Sequence, residues 1–128
     1  MTLDSSALLA ILFGEPAYLD MVDRILQADV VRVGTPTLAE AAMVLAGRRT
    51  PQKRGDLDAL VAELGIETIP FTADHYAEAA RAYARYGRGK HKAALNFGDC
   101  LSYAVASVAD DALLFVGDDF THTDIKAA

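Results

Sequence analysis

Four acidic positions in this 128-residue sequence lie just after a predicted strand or in the first turn of a predicted helix, and they are Asp4, Glu40, Asp99 and the doublet Asp118-Asp119. In a parallel α/β sheet, the carboxyl ends of the strands meet the following helix N-termini at one edge, where ligand sites form. Carboxylates gathered there raise one another's pKa unless a cation intervenes. Oxygen ligands without His or Cys suit Mg²⁺ or Mn²⁺, which also bind substrate phosphate oxygens. The pattern therefore predicts a divalent metal site.

Each of these acids also has a simpler local explanation. Asp4 can cap the first helix, and Asn96 with Asp99 can cap a later one. The segment Thr37-Leu38-Ala39-Glu40 fits a capping box, and Gly117-Asp118-Asp119 fits an Asx turn. Gly98 favours the functional reading, because glycine inside a helical turn costs about 1 kcal/mol against alanine unless something must approach closely. The shared position of all four acids at one sheet edge is what favours a metal site.

The elements that would position these acids follow from the apolar periodicity, which alternates between short strand-like runs and helical stretches. It predicts a strand closed by Leu3 and further strands at 30–33, 66–71 and 113–116. It predicts helices at 5–13, 16–28, 36–47, 51–64, 72–86 and 96–109. We assign the apolar face of the second helix to Leu19, Val22, Ile25 and Leu26. Strands separated by helices predict a single domain over 1–128, a three-layer α/β/α sandwich with a mainly parallel sheet of about four to five strands.

Positive charge is concentrated although the net charge is −6. Nine of the 12 Lys and Arg residues lie in two windows, at 48–54 and 81–92. A local basic field can attract a polyanion whatever the net charge. The second window directly precedes the helix of Asp99, so we expect it to contact a nucleic-acid backbone through Arg85, Arg88, Lys90 and Lys92. The alternative is that its arginines only form a solvated helix face. Tyr83 and Tyr86 either stack on unpaired bases or pack inward.

Several other kinds of site are excluded by residue type and spacing. The single cysteine, Cys100, forms no internal disulfide and no Cys-rich zinc site, and we expect it to be a core residue. The three histidines lack zincin spacing, and no Gly-x-Ser-x-Gly elbow presents a nucleophilic serine. No apolar run approaches the roughly 20 residues of a transmembrane helix. With no basic n-region at the start, we expect a cytoplasmic protein without membrane contact.

Four segments together carry a family resemblance, and they occur in the family's order along nearly the whole chain. They are Leu3-Asp4-Ser5-Ser6-Ala7-Leu8-Leu9, the helix of Glu40, Asn96-Phe97-Gly98-Asp99-Cys100-Leu101-Ser102-Tyr103-Ala104, and Leu114-Phe115-Val116-Gly117-Asp118-Asp119-Phe120. The end, Thr121-His122-Thr123-Asp124-Ile125, is similar too. The sequence resembles PIN-domain ribonucleases, and among them the VapC toxins of bacterial VapBC toxin–antitoxin systems.

This resemblance implies a PIN-like fold and a Mg²⁺-dependent endoribonuclease, with Mn²⁺ as a substitute. It implies that Asp4 and Asp99 are the main metal ligands, that Glu40 is the second acid, and that Asp118 or Asp119 is the last. Ser6 matches a small hydroxyl residue beside the first aspartate. The resemblance also implies RNA as substrate, a VapB antitoxin that blocks the acidic groove, and a homodimer.

Two other classes of protein remain as alternatives at this point. A receiver-type module also holds Mg²⁺ in an acidic pocket, but it needs adjacent acids after the first strand and a lysine after the last. Here Asp4 stands alone in its segment, and the last strand leads into acids. A metal-free interaction domain predicts that divalent ions affect neither stability nor activity.

Overall fold

Four short parallel strands form one sheet in the computed structural model, which describes residues 1–128. They are β1 (Thr2–Leu3), β2 (Arg32–Gly34), β3 (Glu67–Ile69) and β4 (Leu113–Leu114), in the spatial order β3-β2-β1-β4. β1 is central: Thr2 pairs with Arg32 of β2 on one side and with Leu113 of β4 on the other. The parallel sheet of about four strands is confirmed.

Six helices connect and cover the strands. They are α1 (Ser5–Leu12), α2 (Tyr18–Gln27), α3 (Thr35–Gly47), α4 (Arg54–Glu63), α5 (Ala73–Tyr86) and α6 (Phe97–Val108). α1 and α4 end at glycines in the left-handed conformation, Gly14 with φ 62° and Gly65 with φ 63°. After α4, Gly65 N–H donates to Ala62 O and Ile66 N–H donates to Val61 O, which is a Schellman motif. Local chemistry therefore explains where these helices end.

α2 and α4 begin later than the sequence predicted. α2 begins at Tyr18 because Tyr18 N–H donates to Glu15 O in a preceding turn. α4 begins at Arg54, where the Asp56 carboxylate accepts the Lys53 N–H at 2.7 Å. The apolar face assigned to α2 was partly wrong, because Leu19 and Leu26 are 63% and 67% exposed. Apolar residues cover about half of this helix, and the stripe that packs inward is Tyr18, Met21, Val22 and Ile25.

Two apolar cores cover opposite faces of the sheet. Leu114 belongs to a core with Leu3 and Val33, whereas Leu113 belongs to a second core with Tyr103 and Phe120. Successive strand residues point to opposite faces, so neighbouring leucines of β4 place the two cores on either side. This is the layered α/β arrangement that the sequence predicted. No helix has the length and apolarity needed to span a membrane.

Candidate active site

Asp4 lies at the point where β1 ends and α1 begins, and it is 4% exposed. Its Oδ2 accepts the Ser6 backbone N–H at 3.0 Å and the Ser6 hydroxyl at 2.6 Å. The helix-capping role is therefore confirmed. Both bonds are made by Oδ2, so the cap leaves Oδ1 free for a ligand.

Ser6 connects Asp4 to the end of the neighbouring strand. Its Oγ accepts the backbone N–H of Val116 at 3.0 Å, two residues beyond β4. Val116 leads directly into Gly117 and the acidic doublet. The Ser6 hydroxyl therefore holds Asp4 and the segment that leads to Asp118-Asp119 at the same edge of the sheet.

Glu40 has a different local role from the capping box that the sequence suggested. α3 begins at Thr35, and its N-cap Gly34 offers no side-chain cap, so Glu40 lies in the second turn. The Glu40 carboxylate accepts the hydroxyl of Ser5 instead. The capping-box reading of Thr37 is also wrong, because the Thr37 hydroxyl contacts the Ser102 hydroxyl at 3.2 Å. Glu40 is therefore oriented toward α1 and the site, and away from its own helix end.

Gly98 is the position where α6 approaches Glu40. A Cβ placed on Gly98 would lie 2.8 Å from Glu40 Cδ and would overlap the Oε2 atom of that carboxylate. Only glycine accommodates the carboxylate at this distance. The expected close approach at Gly98 is confirmed, and its partner is an acidic residue of the predicted site.

Asp99 carries the largest electrostatic perturbation among these acids. Its Oδ2 accepts the Asn96 N–H at 2.9 Å and its own N–H donates to Asn96 Oδ1 at 2.9 Å, so the predicted cap of α6 is confirmed. Burial raises the pKa of Asp99 to about 6, opposed by the Asn96 N–H and reinforced by the charges of Asp4, Asp119 and Glu40. The fold therefore brings four acids close enough to act on one another.

The two aspartates of the doublet that follows β4 have different interactions. The Asp119 carboxylate is among the charges that raise the pKa of Asp99. Asp118 uses its main chain in a turn, where its carbonyl accepts the Thr121 N–H at 3.1 Å and the Thr121 hydroxyl at 2.7 Å. Both side chains are exposed. The effect of the Asp119 charge on Asp99 favours Asp119 as the acid of the site.

The donor set suits a hard divalent cation. No three His, Cys, Asp or Glu side chains already lie in a metal-holding arrangement. The charges that act on Asp99 are those of carboxylates, and they raise its pKa in addition to burial, which is the largest cause. Carboxylate oxygens in this number fit Mg²⁺ or Mn²⁺.

Two basic side chains in the segment before α6 contact other residues of this chain. Arg85 pairs with Asp124 at 3.1 Å and lies 4.8 Å above the Tyr86 ring. Lys90 lies 5.5 Å above the Tyr83 ring. Arg88 and Lys92 are exposed and form no ion pair within the chain.

The two tyrosines of this region differ in exposure. Tyr86 is only 4% exposed, so base stacking by Tyr86 is wrong and the packing alternative is confirmed. Tyr83 is 44% exposed and faces an open groove of about 1130 Å³ between α3, α5 and α6. The groove extends to Glu40 and Arg88.

Three residues near the site were missed in the sequence. Phe97 lies close to Asp99, is 79% exposed and lines the groove. In the sequence, an apolar residue at the first position of a helix was the sign that could have identified it. Ser5 hydrogen-bonds to Glu40, which lies 35 residues away in the sequence. Asp124 hydrogen-bonds to Tyr103 of α6 and Arg85 of α5, which lie 21 and 39 residues away. No local pattern reveals such pairs.

Comparison with known proteins decides the family. The family model described as "PIN domain" matches residues 1–126. This chain belongs to the PIN-domain family. Curated relatives include Ribonuclease VapC36 of Mycobacterium tuberculosis, 42% identical over 127 residues that cover 98% of this chain and 91% of the relative. Ribonuclease VapC42 of the same species is 40% identical over 129 residues, covering 100% and 98%. The chain is thus a PIN-domain protein of the VapC group.

Solved structures share the fold at low sequence identity. VapC20 of Mycobacterium tuberculosis, described as a Sarcin-Ricin loop cleaving toxin, has a TM-score of 0.74 at 18% identity, covering 99% of this chain and 97% of that one. VapBC2 of Rickettsia felis, bound to a promoter DNA fragment, has a TM-score of 0.78 at 15% identity, covering 99% and 96%. These likenesses confirm the PIN-like fold.

Proposed function

We propose that this PIN-domain protein is a Mg²⁺-dependent endoribonuclease toxin that hydrolyses RNA phosphodiester bonds, with Mn²⁺ as a substitute. The observation that carries the proposal is the half-buried Asp99, whose pKa is raised to about 6 by burial and by the charges of Asp4, Asp119 and Glu40. Curated relatives at 40–42% identity are named VapC ribonucleases, which supports the same activity here.

Asp4 and Asp99 are the proposed metal ligands. A divalent ion bound there supplies positive charge at the scissile phosphate and lowers the pKa of a bound water. Ser6 holds Asp4 through Oδ2, so Oδ1 is free to bind. The Asn96 N–H holds Asp99 through Oδ2 in the same way. Both ligands are therefore positioned by short-range bonds before any cation arrives.

Glu40 and Asp119 are the proposed proton acceptors and outer ligands. Ser5 orients Glu40 by donating to Oε1, and Gly98 leaves space beside Oε2. A carboxylate held at this distance can take a proton from the attacking water. Attack by water on phosphorus leaves a 5′-phosphate and a 3′-hydroxyl, and it needs no ribose 2′-hydroxyl.

We further propose that RNA contacts Ser6, Arg85, Arg88, Lys90 and Lys92. Arg88 and Lys92 are exposed and unpaired, so they can bind phosphates without losing an internal partner. Arg85 would have to exchange Asp124 for a phosphate, and Lys90 would have to leave the Tyr83 ring. Arg88 also lines the groove that reaches Glu40, which supports a continuous path for the RNA backbone.

We propose that residues 1–128 act as one domain in the cytoplasm, as a homodimer neutralised by a VapB-type antitoxin. Solved relatives of the same fold include VapBC2 of Rickettsia felis and a toxin–antitoxin complex from Klebsiella pneumoniae, which supports the antitoxin. Exposed apolar side chains along the groove between α3, α5 and α6, including Met43, Tyr76 and Phe97, support association with another chain. Light scattering of the purified protein, alone and co-expressed with the antitoxin, tests both associations.

The test of the proposed activity is cleavage of end-labelled total RNA by purified protein in Mg²⁺ or in EDTA, beside Asp99→Asn. We expect cuts that need the metal, vanish in the variant and leave 5′-phosphates. Identical patterns from wild type and variant would mean a contaminating nuclease. A folded protein that divalent ions neither stabilise nor activate would favour the metal-free interaction domain.

A further inference from the structure

Asp124 makes three polar contacts with residues of α5 and α6. Its Oδ1 accepts the Tyr103 hydroxyl at 2.6 Å, and its Oδ2 accepts Arg85 at 3.1 Å. Its backbone N–H donates to the Tyr86 hydroxyl at 3.2 Å. The hydrogen bond from Tyr103 is the largest cause that lowers the pKa of Asp124. One carboxylate therefore fastens residue 124 to both α5 and α6.

A chain of turns connects Asp124 with the acidic doublet. The Phe120 carbonyl accepts the Thr123 N–H at 3.1 Å, and the Asp118 carbonyl accepts the Thr121 N–H at 3.1 Å. The Phe120 side chain is 3% exposed within the second core. The segment from 118 to 124 is thus a compact series of turns whose far end is held by Asp124.

Asp119 itself has nothing to hold it. It is exposed and forms neither a hydrogen bond nor an ion pair in the structure. Its position depends on the two ends of its segment, where Ser6 holds Val116 on one side and Phe120 and Asp124 hold the other.

We infer that Asp124 is a positioning residue for the active site: through Tyr103, Arg85 and Tyr86 it fixes the segment that places Asp119 against Asp99. This inference rests on the proposed metal-dependent function. Groups that orient a metal site from outside typically contribute 10- to 100-fold to metal affinity or activity. Asp124 touches none of the proposed metal ligands, so its effect on metal binding must pass through Asp119. Its pair with Arg85 can also affect RNA binding, so metal binding measured without RNA separates the two effects.

Glu78 offers a matched control on the same pair of helices. It accepts the Ser107 hydroxyl at 2.9 Å and pairs with Arg81, so it also joins α5 to α6 through a carboxylate. It forms no hydrogen bond or ion pair with the 116–124 segment and acts on Asp124 only through its charge. A general loosening of α5 against α6 would follow from either Glu78→Gln or Asp124→Asn, whereas displacement of Asp119 would follow only from the second.

The experiment compares Asp124→Asn, Tyr103→Phe and Glu78→Gln in the full-length protein. Tyr103→Phe removes the hydroxyl that bonds to Asp124 and keeps the ring in the core. It therefore tests the same contact if Asp124→Asn folds poorly. Amide hydrogen exchange of residues 117–123 is measured without metal, and Mn²⁺ binding by electron paramagnetic resonance is measured without RNA. Mg²⁺ dependence of RNA cleavage is the third readout.

We expect faster exchange at 117–123 and about 10-fold weaker Mn²⁺ binding or cleavage in Asp124→Asn and Tyr103→Phe, with Glu78→Gln like wild type. In an Asp119→Asn background, Asp124→Asn should cost less than about 2-fold further activity, because coupled residues are not additive. Equal effects of Asp124→Asn and Glu78→Gln, or full additivity with Asp119→Asn, would overturn the inference. If wild type neither binds Mn²⁺ nor cleaves RNA, the proposed function fails, and the inference fails with it.

Discussion

Replacing Asp99 by Asn is expected to stabilise the metal-free protein while abolishing RNA cleavage. Asp99 is half-buried, with a pKa raised from 3.8 to about 6 by burial first and by the charges of Asp4, Asp119 and Glu40. At about 1.4 kcal/mol per pKa unit, the full shift would correspond to about 3 kcal/mol. Solvent screens a half-exposed group, so we expect a gain of about 1 kcal/mol. Asn keeps an oxygen that accepts the Asn96 N–H, so the helix cap survives.

The pH dependence of this gain has a defined sign. The folded-state pKa of Asp99 lies above the unfolded value, so protonation of Asp99 favours the folded state. The contribution of Asp99 to the stability of wild type therefore falls as the pH rises from about 4 through about 6, and Asp99→Asn lacks this loss. The higher stability of Asp99→Asn relative to wild type should be fully present at pH 7.5 and absent below pH 4.

Urea unfolding in EDTA at pH 7.5 and at pH 4 measures both quantities, with Asp23→Asn on the exposed face of α2 as the charge-matched control. At pH 7.5, saturating Mg²⁺ should make wild type more stable than Asp99→Asn, because only wild type gains the free energy of Mg²⁺ binding. A variant that is less stable than wild type in EDTA, or a gain that does not change with pH, would refute the account of Asp99 as a strained member of an acidic cluster.

Three further changes test other parts of the site. Gly98→Ala puts a Cβ where the Glu40 carboxylate lies, so cleavage should fall at least about 10-fold without loss of helix in circular dichroism; full activity would contradict the role of that contact. Asp119→Asn should reduce cleavage at least about 10-fold more than Asp118→Asn does in the same kinetic assay, and the reverse order would assign the site to Asp118. Arg88→Ala should lower the salt dependence of RNA binding by about 0.7 in the log–log slope, measured by fluorescence anisotropy, and an unchanged slope would remove Arg88 from the RNA path.

Features that depend on neighbouring residues were predictable from the sequence. The glycines after α1 and α4 end those helices through local bonds, and the Asn96–Asp99 cap is complete within four residues. The alternation of strands and helices predicts that Asp4, Glu40 and the doublet share one edge, because parallel strands end on the same side.

Features that depend on packing between distant segments were not predictable. α2 has apolar residues on more than one stripe, and only its packing against α1 decides that Leu19 and Leu26 stay exposed. Glu40 matches a capping box locally, yet a serine 35 residues earlier binds it. The effect of the Asp119 charge on the pKa of Asp99 likewise joins two segments that are 20 residues apart.

The central position of β1 also determines when the site can exist during synthesis. Thr2 pairs with Leu113, and Asp4 N–H donates to Leu114 O at 2.9 Å, so the first strand completes its pairing only with residues made about 110 positions later. A nascent chain that has not yet emerged through β4 holds Asp4 and Glu40 without Asp119 opposite them. The proposed site is therefore incomplete until β4 has been made, which is for nearly all of the chain's own translation.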